Sequence, residues 1–201
     1  MKKMFWGLIF ICLNLNLHQY IAVCPNFDLL PDFIGYFLLL LGVKELGPRS
    51  PRLEKLAALL GISMVLSFVE SVLMFLGNEG IFVTLLAFAL LVMELYILHQ
   101  VASAYEEFGS VHQWGQKMHK YWGMLFYLPI ITVIVTMSSA FLSGLGYIVA
   151  MIGVVAIFGL GIALLVYRIL YLVAAYHAAN EYVPDEVVRI ETENEEEHHD
   201  P

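Results

Sequence analysis

The chain has 201 residues, 60% of them apolar and only 14% charged, against about 25% charged in soluble domains. A mean hydropathy of +0.78 leaves too little polar surface to cover a soluble globule, which excludes a cytosolic enzyme, a secreted disulfide scaffold and a disordered chain. The formal charge of −8 belongs to the end of the chain: residues 1–180 hold nine Lys/Arg and nine Asp/Glu, whereas 181–201 hold one Arg and nine acids. Composition therefore predicts an all-α integral membrane protein. No basic patch points to nucleic acid.

A membrane span needs about 20 mostly apolar residues. The sequence offers six candidates, at 4–23, 29–46, 54–77, 80–104, 120–142 and 145–177, followed by an acidic tail at 181–201. The first is the least apolar. Asn14 and His18 are four apart and share a helix face, while Asn16 points away from them. A helix polar on two sides suits a place between other helices. Lys2, Lys3 and the apolar run to Leu13 have the look of a signal peptide, and Ile21-Ala22-Val23-Cys24 that of a lipoprotein cleavage site. Val23 is not small and Pro25 follows at once, so cleavage is not expected. Cys12 and Cys24 are too few for a disulfide framework; Cys12 reads as a small buried hydrophobe.

The second span has a marked start. Asp28 can cap it, Pro31 fits a first turn, and Asp32 sits where the helix dipole favours negative charge. Both aspartates are expected at an exterior helix mouth. Gly35 and Gly42 are seven apart and leave room for a neighbouring helix. Gly47-Pro48-Arg49-Ser50-Pro51-Arg52 ends the span, because proline cannot continue a helix.

Asn78-Glu79-Gly80 reads as a tight turn joining spans three and four. Each of those spans carries one carboxyl group. At about 1.5 Å per residue, Glu70 lies ~12 Å and Glu94 ~21 Å below the outer end. Asn14 falls near the depth of Glu70, so Asn14, Glu70 and Glu94 form a candidate intramembrane polar cluster. A buried carboxyl that keeps its proton serves as a hydrogen-bond donor. One that ionises serves as a proton or cation relay.

The segment 105–119 joins spans four and five and is expected to lie at the interface as a short helix. His112 and His119 share one face of it with Gln116 between. Pro129 is expected to kink span five. Ser138, Ser139 and Ser143 lack a G-x-S-x-G context, and Ser143-Gly144 turns the chain into span six. That last span, at about 50 Å, is long enough to project beyond the bilayer as helix. Gly146, Gly153, Gly159 and Gly161, with Ala156 and Ala163, make part of its surface small, and Gly159 with Ala163 is a small-xxx-small pair suited to helix packing.

Seven histidines invite a metal reading, yet no H-E-x-x-H is present, and His18 and His99 fall at opposite ends of their spans. No metal, no cofactor and no enzymatic activity are expected. His198 and His199 lie in a tail whose charge density predicts disorder. With the N-terminus inside, all ten Lys and Arg residues fall on the interior side, as the positive-inside rule prefers. Trp6, Trp114 and Trp122 fall near the same interface. Six spans with both termini cytoplasmic follow.

Residues 26–46, N-F-D-L-L-P-D-F-I-G-Y-F-L-L-L-L-G-V-K-E-L, together with the opening M-K-K-M-F-W-G-L-I-F, resemble a set of uncharacterised small multi-pass membrane proteins of Gram-positive, Clostridia-like bacteria. The resemblance covers the first quarter of the chain. It implies a bacterial cytoplasmic membrane location and brings no activity, ligand or site residue. The sequence leaves two function classes. One is a structural or regulatory protein acting through helix–helix contact with a membrane-protein partner or a second copy, its surroundings the lipid bilayer. The other is a small transporter or channel using Glu70 and Glu94.

Overall fold

In a computed structural model the described residues are 1–13, 32–47, 50–77, 80–142 and 147–182. They form six α-helices: α1 (Lys2–Leu13), α2 (Asp32–Leu46), α3 (Pro51–Phe75), α4 (Ile81–Glu107), α5 (His112–Leu142) and α6 (Tyr147–Glu181), with one 3-10 turn at Gly109–Val111. Among the described residues there is no strand. Four helical stretches, in α3, α4, α5 and α6, are long and apolar enough to cross a membrane. Asn14, Asp28, the second half of the expected first span, and the acidic tail from 183 onward lie outside the described residues.

Local chemistry explains the boundaries. α2 stops at Leu46, and Pro51 occupies the first turn of α3, where its missing N–H costs nothing. α3 ends at Phe75, and the turn that follows holds Gly77, whose φ of 72° lies in the left-handed region that favours glycine. α6 runs from Tyr147 to Glu181 as one continuous helix of 35 residues. Pro129 lies inside α5, where it cannot donate to the Leu125 carbonyl.

One expectation needs correction. Residues 105–119 do not form a separate interfacial helix. α4 continues to Glu107, a single 3-10 turn follows, and α5 begins at His112. The reason is a close crossing. A Cβ on Gly115 would run into the backbone of Glu106, so the end of α4 and the start of α5 press together and leave no length for a joint. The shared face predicted for His112, Gln116 and His119 is kept: Gln116 and His112 are 3.0 Å apart, and His119 faces Glu106 at 3.6 Å.

Each helix packs on its neighbours in the chain, and α1 returns against α6. Glycines set the α1–α2 contact. A Cβ on Gly7 would come within 2.6 Å of the Leu39 nitrogen, one on Gly35 within 2.8 Å of Ile11 and Phe10, and one on Gly42 would overlap Met4. The approach expected at Gly35 and Gly42 is thus realised, with α1 as the partner. The core sits in one half of the bundle, around Leu8, Leu39, Leu60, Ile97, Tyr105 and Tyr171. In the other half α6 is largely uncovered: Val155 and Phe158 are 66% and 72% exposed. Exposed apolar surface on this scale marks a membrane or protein contact.

The same half that holds the core carries the basic end. Lys3–Glu45 (2.8 Å), Arg52–Glu107 (2.6 Å) and Trp114–Glu181 (2.5 Å) tie the N-terminal ends of α1, α3 and α5 to the C-terminal ends of α2, α4 and α6. Lys2, Lys44, Lys55, Lys117 and Lys120 lie toward this end of their helices. Among the described residues, Arg168 is the one cation that does not.

Candidate functional site

Arg168 and Glu94 occupy the middle of the bundle. Glu94 is thirteen residues from either end of α4, and Arg168 is thirteen residues before the end of α6. At about 1.5 Å per residue both lie ~20 Å from the basic end. Their side chains meet, Nη2 to Oε1 at 3.2 Å, with exposures of 21% and 11%. The other guanidinium nitrogen, Nη1, donates to the Cys12 carbonyl at 3.0 Å. The last residues of α1 are thereby joined to α4 and α6 through one side chain. Cys12 is buried, as expected of a small hydrophobe.

Arg168 suits this position because its flat fork carries several donors and can serve a carboxylate and a carbonyl together. Burying either charge alone is expensive; burying them paired costs far less. The pair is flanked by further satisfied polar groups. Tyr171, one turn along α6, donates to the Leu98 carbonyl at 2.6 Å. Trp122 on α5 donates to the Leu95 carbonyl at 2.7 Å. Ser63 and Ser71 on α3 bond back to carbonyls four residues earlier, at 3.0 and 2.9 Å. Such back-bonding satisfies a hydroxyl within its own helix.

The remaining sequence-predicted residues fall around this pair. Asp32 opens α2 on the level of Cys12, and both lie within electrostatic reach of Arg168. The α1–α2 register accounts for this: Gly42 meets Met4 and Gly35 meets Ile11, so the start of α2 faces the end of α1. The described part of α2 therefore begins at the depth of Glu94, which sets Asp32 near the middle of the bundle rather than at the exterior helix mouth expected of it. Glu70 is half-buried on α3. The buried Tyr36 phenol on α2 lies within electrostatic reach of Glu94, Asp32 and Glu70, carboxyl groups from three helices, of which Glu94 and Asp32 also reach Arg168.

Counting charges along the sequence groups Arg168 with the cations of the interior face and does not single it out as a site residue. A signal was present. Arg168 falls inside the span 145–177, and measured from the shared end of the bundle it matches Glu94 in depth. A lone cation and a lone carboxylate at one depth on two apolar helices are a pair in waiting, since neither is stable in hydrocarbon unaccompanied.

No protein-family model, curated protein or solved structure matches the chain. A second polar cluster lies at the basic end. Trp114 stacks on His177 at 4.5 Å and 10°, carries Lys117 over its ring at 3.7 Å and donates to Glu181 at 2.5 Å. His99 packs against His119 and Trp122 at 4.8 and 4.5 Å. Among the described residues no three metal-donor side chains come together. These contacts fasten α4, α5 and α6 to one another.

Proposed function

We propose that the chain is a multi-pass protein of the bacterial cytoplasmic membrane, with six spans and both termini inside, that acts structurally or in regulation through helix–helix contact with a membrane partner or a second copy of itself. The observation that carries this reading is the small-residue pair Gly159 and Ala163, one turn apart on α6. Nothing lies within 4 Å of a Cβ built on Gly159, whereas Gly7, Gly35 and Gly42 are all used in contacts within the chain. Small residues on membrane helices let backbones approach closely, and interfaces are enriched in them. The basic asymmetry supports the orientation. Self-pairing of Glu94 with Arg168 supports a structural rather than a conducting interior.

Cross-linking in native membranes tests the reading. The wild-type chain is expected to give a discrete larger species that Gly159→Leu abolishes, with the thermal stability of the purified chain unchanged. An identical cross-linking pattern in the variant would count against it. A second reading, a small transporter or channel coupled to protons or cations through Glu70 and Glu94, draws on the three carboxyl groups within electrostatic reach of Tyr36. Pyranine-loaded vesicles holding the purified chain test that reading: proton uptake present in wild type and absent in Glu70→Gln would establish it.

A further inference from the structure

At the basic end, α3 and α4 enclose a groove of about 320 Å³ lined by Arg52, Lys55, Leu56, Leu59, Tyr96 and Gln100. Its mouth is polar: a guanidinium, an ammonium, a phenol and an amide converge there. Its floor is apolar. The charges are not balanced within the chain. Glu107 takes up Arg52 at 2.6 Å and also accepts the Ser50 hydroxyl at 2.7 Å. Lys55 pairs with no carboxylate among the described residues. The mouth therefore carries one net positive charge and several donors.

The groove does not close toward the middle of the bundle. Lys55, Leu59 and Ile62 lie on one strip of α3, and Gln100, Tyr96 and Val92 on one strip of α4. Ile62 and Val92 are both exposed. Ser63 and Met93 lie between them, with Sδ 4.0 Å from Oγ. An apolar lane thus runs from the cationic mouth for about 10 Å along α3. A monoanionic head with an apolar chain attached matches both ends. Free phosphate would satisfy the mouth and leave the lane unused.

We infer that the groove between α3 and α4 binds the phosphodiester headgroup of an anionic phospholipid, with Lys55 and Arg52 on the phosphate, Tyr96 and Gln100 as further polar contacts, and an acyl chain along Leu59, Ile62 and Val92. The chemistry is that of a basic recess at a membrane interface, where each nearby cation strengthens anionic-lipid binding. The inference does not rest on the partner reading above.

The test uses the full chain in maltoside micelles, titrated with dioleoylphosphatidylglycerol and followed by native mass spectrometry. One lipid is expected to be retained. Lys55→Gln should weaken its binding about fivefold, Lys55→Arg should keep it, and Lys2→Gln, a cation at the same end but outside the groove, should leave it unchanged. Gln100→Leu provides a second variant that touches the mouth without altering charge, with a smaller loss expected; circular dichroism checks that each variant is folded. Phosphatidylcholine should not compete, and excess inorganic phosphate should not displace the lipid. Equal binding by wild type and Lys55→Gln, equal retention of phosphatidylcholine, or displacement by inorganic phosphate would each overturn the proposal, the last by assigning the mouth to the free anion.

Discussion

Removing either member of the Glu94–Arg168 pair should cost far more than removing both. At 3.2 Å the attraction between the two charges is about 5 kcal/mol at an effective dielectric constant of ~20. Taking both ions out of water costs several kcal/mol each, so the pair adds little net stability, yet stranding one partner costs about 3–5 kcal/mol. The two single variants should not be equal. In Arg168→Met the stranded Glu94 carboxyl can take up a proton and become neutral. In Glu94→Leu the guanidinium cannot shed its proton; it keeps one hydrogen bond, to the Cys12 carbonyl, and the more distant influence of Asp32. Glu94→Leu should therefore sit at the upper end of that range and Arg168→Met at the lower. The double variant Glu94→Leu/Arg168→Met replaces the pair by apolar groups of similar volume and should return to within about 1–2 kcal/mol of wild type. The assay is unfolding of the full chain in mixed micelles titrated with dodecyl sulfate, followed by circular dichroism. A coupling energy of about 2 kcal/mol or more is expected between the two sites. Additive single effects would refute the account of a self-neutralising pair.

The remaining predictions address the helix contacts and the topology. Gly7→Val should lower stability by about 1–3 kcal/mol, because its side chain meets the backbone of Leu39 and Gly35; Gly61→Ala, where no atom lies within 4 Å of a built Cβ, is the control, and equal melting temperatures would dismiss a glycine-set α1–α2 crossing. In a chain with Cys24 replaced by serine, an impermeant thiol reagent added outside intact cells should label a cysteine at Ile81 and miss one at Gln113. Labelling at Gln113 would invert the proposed orientation. Truncation at Pro184 should leave folded yield and thermal stability nearly unchanged, as expected of an acidic segment that resists collapse; a marked loss of folded protein would mean that the tail docks on the helices.

Helix content and the breaks between helices were legible in the residues. Long apolar runs admit little but helix in hydrocarbon, where every backbone group needs a partner within its own segment, and Gly47 to Pro51 or Gly77 to Gly80 punctuate those runs by rules of local backbone geometry. The gathering of Lys and Arg at one end was legible for a similar reason: alternating direction through the helices assigns each end without knowledge of packing. The segment 105–119 was not legible, because its course depends on how closely Gly115 lets α5 approach Glu106, a property of two helices rather than one.

The candidate site divides along the same line. Sequence alone picked out Glu94, since a carboxyl in an apolar run is costly wherever the run ends up. It could not choose the partner. Pairing depends on which helices are adjacent, at what rotation and at what register, and those follow from packing choices such as the Gly7, Gly35 and Gly42 contacts and the return of α1 against α6. Tertiary structure alone brought Arg168 to Glu94 and to the Cys12 carbonyl, and set Asp32 at the same depth. Burial energies act on single residues and can be read along a chain, whereas salt bridges and grooves exist only between elements and are decided when the helices meet.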